Sequence, residues 1–367
     1  MIPIYSPSFN KEEKNNLLEC INTGWISSQG KFVEQFEGEF SDWNQMQYGV
    51  ATSSCTSAIH LALIALGIGK NDEVICPDLT FIAPANMIHW SGAKPVLVDV
   101  EPISWCINPL KLEEKISKKT KAIIVVHAFG HSANMDPICA IARKYNLFVI
   151  EDVAEAPGAK YSGNMVGTMG HASCYSFFAN KIMTTGEGGM VLTNNISLNK
   201  QMRIYRDHGM SREKRYVHVV AGFNYRMTNM QAAVGVGQLQ YLDKVLSKRK
   251  KQEEIYKSLF LNNKKIRWRP KEDWCDMVHW MSTITLDFEE LRDPLLHYMY
   301  SKGVDCRQMV YPIHTAEPYN KSSDQSEFPV SRSISLRSLH IPSSLALKEY
   351  EQKNISDTIQ ERLEKNG

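Results

Sequence analysis

The sequence predicts an α/β protein, a parallel sheet with crossover helices followed by a smaller C-terminal α+β domain. Two observations carry the first part. Short, nearly all-apolar, β-branched runs alternate with helical patterns, which is the order of βαβ units. The runs also lack a polar face, as expected when helices cover both sides of a sheet. The third observation is length: 367 residues amount to about two domains, and hydrophobicity falls from about residue 248 onward. The expected division is a large domain over 1–245 and a small one over 246–367.

The elements follow in order. A helix is predicted after Thr52-Ser53-Ser54, with Ile59, Leu61, Leu63, Ile64 and Leu66 on its apolar face and Gly67 as its stop. Strands are predicted at Glu73–Cys76, Pro95–Val98, Ala122–Val126 and Leu147–Ile150, with a helix over Ile138–Tyr145 between the last two. Ser173–Phe178 and Gly189–Thr193 read as two more strands around the loop Ala179–Gly188. Helical periodicity spans Asn229–Leu246 and runs into Lys248-Arg249-Lys250-Lys251. That charged run reads as a solvated helix face rather than a nucleic-acid patch, since Glu253-Glu254 follows it.

Composition excludes more than it assigns. Lys and Arg number 42 against 40 Asp and Glu, a formal charge of +2. Such balance gives no electrostatic reason to expect nucleic acid or an anionic membrane as partner. No apolar stretch approaches bilayer length, and MIPIYSPSFNKEEK has no basic segment ahead of an apolar core. A cytoplasmic location is therefore expected. The eight cysteines are scattered without a CxxC pair, so free thiols and no metal site are expected.

Chemistry concentrates between Leu147 and Gly189. LFVIEDVAEAPGA places Glu151-Asp152 at the end of a buried strand, where parallel sheets bind ligands. A helix N-cap is the plainer use of Asp152. SFFANKIMTTGEGG sets one lysine, Lys181, between an aromatic strand and a glycine-rich turn. A buried lysine there would become nucleophilic, as a Schiff-base lysine must be; a surface loop lysine is the alternative. Taken together, the two segments suit pyridoxal 5'-phosphate, which needs a lysine for its aldehyde and a carboxylate for its ring nitrogen. Ser176 and Thr56 are placed for the phosphate, Thr56 at a helix N-terminus, and Phe81 in PDLTFIAPAN could stack on the ring.

With these residues the chain resembles the DegT/DnrJ/EryC1/StrS group of sugar aminotransferases. The resemblance runs from GWISSQGKFVEQFE (residues 24–37) through TSSCTSAIHLAL, PDLTFIAPAN, EDVAEAPGA and SFFANKIMTTGEGG to GFNYRMTNMQAAVGVGQL and YPIHTAEPY. It implies the fold-type I architecture, with a mixed, mostly parallel sheet in the large domain. It implies that Lys181 bonds the cofactor, Asp152 pairs with the pyridinium, and Ser176, Thr56 and the Ser57 N–H hold the phosphate. Phe81 stacks, Glu155 lies against the other face near the cofactor hydroxyl, and Asn224 reaches the phosphate of a neighbouring subunit in a homodimer with shared sites. Asn224 could otherwise be a turn residue.

Three positions depart from the usual pattern: Cys55 before Thr56, Asp78 where Thr is commoner, and Trp105-Cys106 in a usually polar place. The activity implied is transfer of an amino group, from L-glutamate as donor, to a ketone. SFFANK, Glu155 and YPIHTAEPY are most similar to the perosamine-synthase branch, which implies a nucleotide-linked 4-keto-6-deoxy sugar as acceptor. Tyr311, His314 and Arg226 are candidate substrate contacts, with His314 equally readable as a structural loop histidine; His127 invites the same caution. A smaller phosphorylated ketone or another keto sugar is the alternative acceptor. A dehydratase of this fold would carry histidine in place of Lys181, and a non-catalytic relative would lose Lys181 or Asp152. A nicotinamide dehydrogenase would show GxGxxG after the first strand, where none stands.

Overall fold

The computed structural model describes residues 1–320 and 324–364. Two helices open the chain, α1 (Lys11–Thr23) and α2 (Lys31–Trp43). A capping box between Asn10 and Glu13 starts α1, and Gly24 in the left-handed region ends it. The chain then enters the main sheet through β1 (Tyr48–Thr52), α3 (Cys55–Ala65), β2 (Glu73–Pro77), α4 (Ala83–Trp90) and β3 (Lys94–Val98). It continues through β4 (Thr120–Val126), α5 (Met135–Tyr145) and β5 (Phe148–Asp152). A short hairpin, β6 (Lys160–Tyr161) and β7 (Asn164–Met165), precedes β8 (Ala172–Ser176) and β9 (Gly189–Thr193).

The seven long strands lie in the order β1-β9-β8-β5-β4-β2-β3. From β3 to β8 every pairing is parallel, while β9 runs antiparallel to both β8 and β1. The mixed, mostly parallel sheet implied by the resemblance is therefore present. Its strands are buried on both faces: β4 carries Ile123, Ile124 and Val125 at no exposure, and β9 is buried throughout. The unpredicted strand is β1. It is five residues long with a glycine at its second position, and its strand partner is β9, some 140 positions away.

The sheet leads into α6 (Ile196–Arg206), then α7 (Asn229–Leu239) and α8 (Leu242–Phe260). The single helix predicted over Asn229–Leu246 is thus two. Gln240 keeps helical backbone angles and only Tyr241 leaves them, at φ −111° and ψ 2°; with no Gly or Pro at the break, the apolar period passes through it unmarked. In α7 the glycines matter: a Cβ at Gly235 would sit 2.7 Å from the Phe36 ring, so α2 packs directly on the α7 backbone.

The rest of the chain builds a second sheet. Its strands β10 (Ile266–Trp268), β12 (Ser282–Leu286), β13 (Arg307–Gln308) and β14 (Ser338–Ile341) lie in the order β10-β12-β14-β13, while β11 (Cys275–Asp276) pairs with β6. The helices here are α9 (Arg292–Ser301), α10 (Pro329–Arg337) and α11 (Glu349–Glu364). Tyr256, Phe260, Ile284, Leu339 and Ile355 form a core separate from that of the main sheet. The C-terminal residues also reach back, since Trp280, Met309 and Ile313 belong to the main core. All eight cysteines are free thiols. Among the described residues no helix is long and apolar enough to cross a membrane.

Candidate active site

The parallel strands end along one rim, and a cavity of about 340 Å³ opens there. Its walls bring together Thr56, Phe81, Asp152, Glu155, Ser176 and Lys181, and Trp280 joins them from the second half of the chain.

Strand alternation separates the two acids that end β5. Glu151 is fully buried on the far side, where its carboxylate accepts N–H bonds from Gly167, Met169 and Gly170 and meets His127 Nε2 at 2.9 Å. His127 is held at its other nitrogen by the Ala133 N–H, so both residues are structural. Asp152 faces the cavity. No helix starts after it, so it is not an N-cap; its Oδ1 accepts the Ala154 N–H at 3.0 Å. Burial, helped by the nearby Glu155 carboxylate, pushes its pKa up to about 6, opposed by that hydrogen bond and by the charge of Lys181.

The start of α3 forms a second wall. Ser54 caps the helix, leaving Cys55 and Thr56 in its first turn. A Cβ at Gly189 would lie 2.4 Å from the Ser54 carbonyl, and one at Gly188 would lie 2.2 Å from Thr185 Oγ1. The glycines that close TTGEGG thus let the turn approach the helix end. Ser57 sits one residue further along the same turn. Its N–H donates to Ser54 Oγ at 3.1 Å and so is spent on the capping box, and its side chain does not line the cavity.

Lys181 lies in the loop between β8 and β9. Its N–H donates to the Phe178 carbonyl, and its carbonyl accepts from Tyr5 Oη. Its side chain is 12% exposed. The amine stands 3.3 Å from Glu155 Oε1 and 3.8 Å from the centre of the Trp280 ring. The second Glu155 oxygen accepts the Phe129 N–H at 2.8 Å. Trp280 is fixed by its own indole N–H, which donates to the Asn180 carbonyl. A lone tryptophan in MVHWM carries no sequence signal, so Trp280 was missed.

The proposed substrate residues scatter. Tyr311 is 58% exposed and lines an adjoining cleft of about 770 Å³, which shares Thr80, Phe81 and Val310 with the cavity. The His314 side chain is buried in the wall of that same cleft, held there as a loop histidine would be. Nδ1 lies 2.7 Å from Asp78 Oδ2, the N–H donates to Asp78 Oδ1, and the ring stacks on Phe328. Asp78, flagged as unusual, is thus the partner of His314. Arg226 lies outside the cavity of its own chain and is occupied by Asp207 and Asn224. Asn224 is exposed and also outside it.

The family signature of the DegT/DnrJ/EryC1/StrS aminotransferases matches residues 7–360. The chain belongs to that family. It is 39% identical over 360 residues to a GDP-perosamine synthase of Escherichia coli O157:H7, covering 98% of each chain. A GDP-perosamine synthase of Caulobacter vibrioides is 39% identical over 351 residues, covering 95% of this chain and 94% of its own. Among solved structures, an aminotransferase from Psychrobacter cryohalolentis superposes with a TM-score of 0.92 at 30% identity, covering 98% of both chains. Helicobacter pylori PseC, an aminotransferase involved in the biosynthesis of pseudoaminic acid, gives 0.93 at 26% identity over 99% of both.

The protein is accordingly a pyridoxal phosphate-dependent aminotransferase. The cavity fits that cofactor on its own chemistry. It offers a buried amine, a buried carboxylate, a helix N-terminus cleared by glycine and the 62%-exposed Phe81 ring, which presents a free face to a planar group.

Proposed function

We propose that this aminotransferase, working in the cytoplasm, moves the amino group of L-glutamate onto a nucleotide-linked 4-keto-6-deoxy sugar destined for a polysaccharide. The observation that carries the reading is the meeting of Lys181 and Asp152 in one cavity that opens into a second, larger cleft. That cleft favours an acceptor with a bulky activating group over a small phosphorylated ketone. The GDP-linked product in the names of the similar synthases supports the same choice.

Bound pyridoxal phosphate supplies a carbonyl carbon for the amino group and a ring that delocalises the electron pair left at Cα. Lys181 Nζ takes the Cα proton and later returns one to the acceptor carbon. Glu155 and Trp280 keep that amine inside the cavity between transfers. The Asp152 carboxylate keeps a basic ring nitrogen protonated. Thr56, Ser176 and the first-turn N–H groups of α3 hold phosphate, and Phe81 covers the ring face. Residues 1–245 form the cofactor domain, while 246–367 contribute Trp280 and Tyr311. Asn224, exposed on its own chain, completes the phosphate site of a second copy. The exposed Trp25 and Val219 support such a homodimer.

The test is a spectrum followed by a screen. Purified protein should carry a cofactor absorbance band that Lys181→Ala abolishes without unfolding the chain. Glutamate should release 2-oxoglutarate when paired with nucleotide-linked keto sugars. Turnover of small phosphorylated ketones alone would overturn the acceptor assignment.

A further inference from the structure

Arg269, directly after β10, is a buried cation without an ion pair among the described residues. Burying an unpaired charge costs several kcal/mol, and a methionine would fill the same space without that penalty. The guanidinium is instead spent on backbone. One nitrogen donates to the carbonyls of Ala128 and Phe129, at 3.1 and 3.0 Å, and another donates to the carbonyl of Ser104. Its central carbon lies over both rings, 4.6 Å from the centre of Trp105 and 5.7 Å from that of Phe129, and the two rings meet each other edge to face. Only a planar fork can serve three carbonyls and two aromatic faces at once.

Both of those aromatic residues are strained. Trp105 has φ +57° and Phe129 has φ +50°, left-handed conformations that cost a bulky L-residue about 1–2 kcal/mol each. Such strain persists where the surroundings over-determine it, and it collects at working sites. Here it has a reader. The N–H of the strained Phe129 donates to Glu155 Oε2, and the other Glu155 oxygen faces the Lys181 amine at 3.3 Å. The Phe129 ring also stacks on Trp280, 6.3 Å between centres and 16° from parallel. The next residue has no slack either, since a Cβ at Gly130 would collide with the Val278 carbonyl.

We propose that Arg269 is a positioning residue for the reaction: by clamping the Trp105 and Phe129 turns it aims the Phe129 amide at Glu155 and so sets the Glu155 carboxylate against the Lys181 amine. The proposal rests on the reading of Lys181 as the residue that bonds the cofactor. It assigns the second half of the chain a task at the site beyond covering it. Arg269 itself touches neither Glu155 nor Lys181 by hydrogen bond.

The experiment compares Arg269→Lys, Glu155→Gln and the double variant in cofactor-loaded protein. The readouts are cofactor affinity and the ratio of the bound cofactor's absorbance bands, which reports charge near the lysine linkage. Arg269→Lys keeps the charge and loses the fork. It should shift the band ratio in the direction of Glu155→Gln and weaken cofactor binding by about three- to tenfold. The double variant should match Glu155→Gln alone, because both changes act through one carboxylate. Should Arg269→Lys not fold, Trp105→Leu removes one face of the clamp and none of its hydrogen bonds, and should give the same shift at smaller size. A band ratio unmoved in the folded variant, or effects that multiply in the double variant, overturns the proposal alone. A wild-type protein without any cofactor band overturns the Lys181 reading and this proposal with it.

Discussion

The amine of Lys181 rests 3.8 Å from the centre of the Trp280 ring, joining the loop after β8 to a residue nearly 100 positions later. The contact is a cation–π pair in a mostly buried setting, worth about 2 kcal/mol where water is excluded. Trp280 also donates to the Asn180 carbonyl beside the lysine. Trp280→Ala should therefore lower stability by about 3–5 kcal/mol and slow amino transfer. Trp280→Phe keeps a ring face and loses only the indole bond, so it should retain most of both. Denaturant unfolding and single-turnover rates check the pair.

Asp152 ties stability to pH. Its carboxyl holds a proton up to about pH 6 in the folded chain, against 3.8 for an ordinary aspartate, because burial disfavours the charge. Between those values the folded state binds more protons than the unfolded one, so stability falls as pH rises through that window. At about 1.4 kcal/mol per pKa unit, the cofactor-free protein should lose about 3 kcal/mol by the upper end. Asp152→Asn should abolish this slope and be the more stable protein at neutral pH, while binding cofactor more weakly. Unfolding curves of the cofactor-free proteins from about pH 4 to 7 measure the difference. A slope that survives in Asp152→Asn would assign it to another group.

Local signals made part of this site legible. An apolar strand ending in Asp152 and a glycine-rich turn after Lys181 are each contiguous, and their physics is visible within a dozen residues. The parts that stayed hidden depend on distant chain. Arg269 meets Ala128 across 141 positions, and Trp280 meets Asn180 across 100. Neither lies in a periodic or glycine-marked segment. Ser57 is ambiguous in sequence for a different reason, since capping and phosphate binding draw on the same first-turn N–H groups. The strand β1 escaped because this edge strand, with Val50 and Ala51 between Gly49 and Thr52, lacks the longer apolar run of its neighbours.

The pairing of Asp78 with His314 fastens the Tyr311 segment to the end of β2. Asp78 accepts from both the N–H and Nδ1 of His314, and its own carbonyl accepts the Ile313 N–H. Asp78→Ala leaves a buried imidazole and a buried amide unpartnered, a loss of about 1–3 kcal/mol for each. Because Tyr311 lines the outer cleft rather than the cavity, the kinetic effect should fall on the acceptor. Its KM should rise several-fold while the glutamate half-reaction holds its rate. Equal damage to both half-reactions would mean that the clip supports the whole site.

Gly189 offers the sharpest steric test. A Cβ there would fall 2.4 Å from the Ser54 carbonyl carbon and oxygen and 2.5 Å from the Cys55 nitrogen, all backbone atoms that cannot rotate away. In Gly189→Ala either β9 or the first turn of α3 must therefore shift. β9 is held on both sides, by β8 and by β1, so the displacement should fall on the helix start. That turn carries Thr56 and the free N–H groups offered to phosphate. The variant should fold with a modest stability loss, yet bind pyridoxal phosphate at least about tenfold more weakly, a change of about 1.4 kcal/mol. Pyridoxal, which lacks the phosphate, should bind wild type and variant alike, and an equal loss for both would place the damage at Lys181 instead.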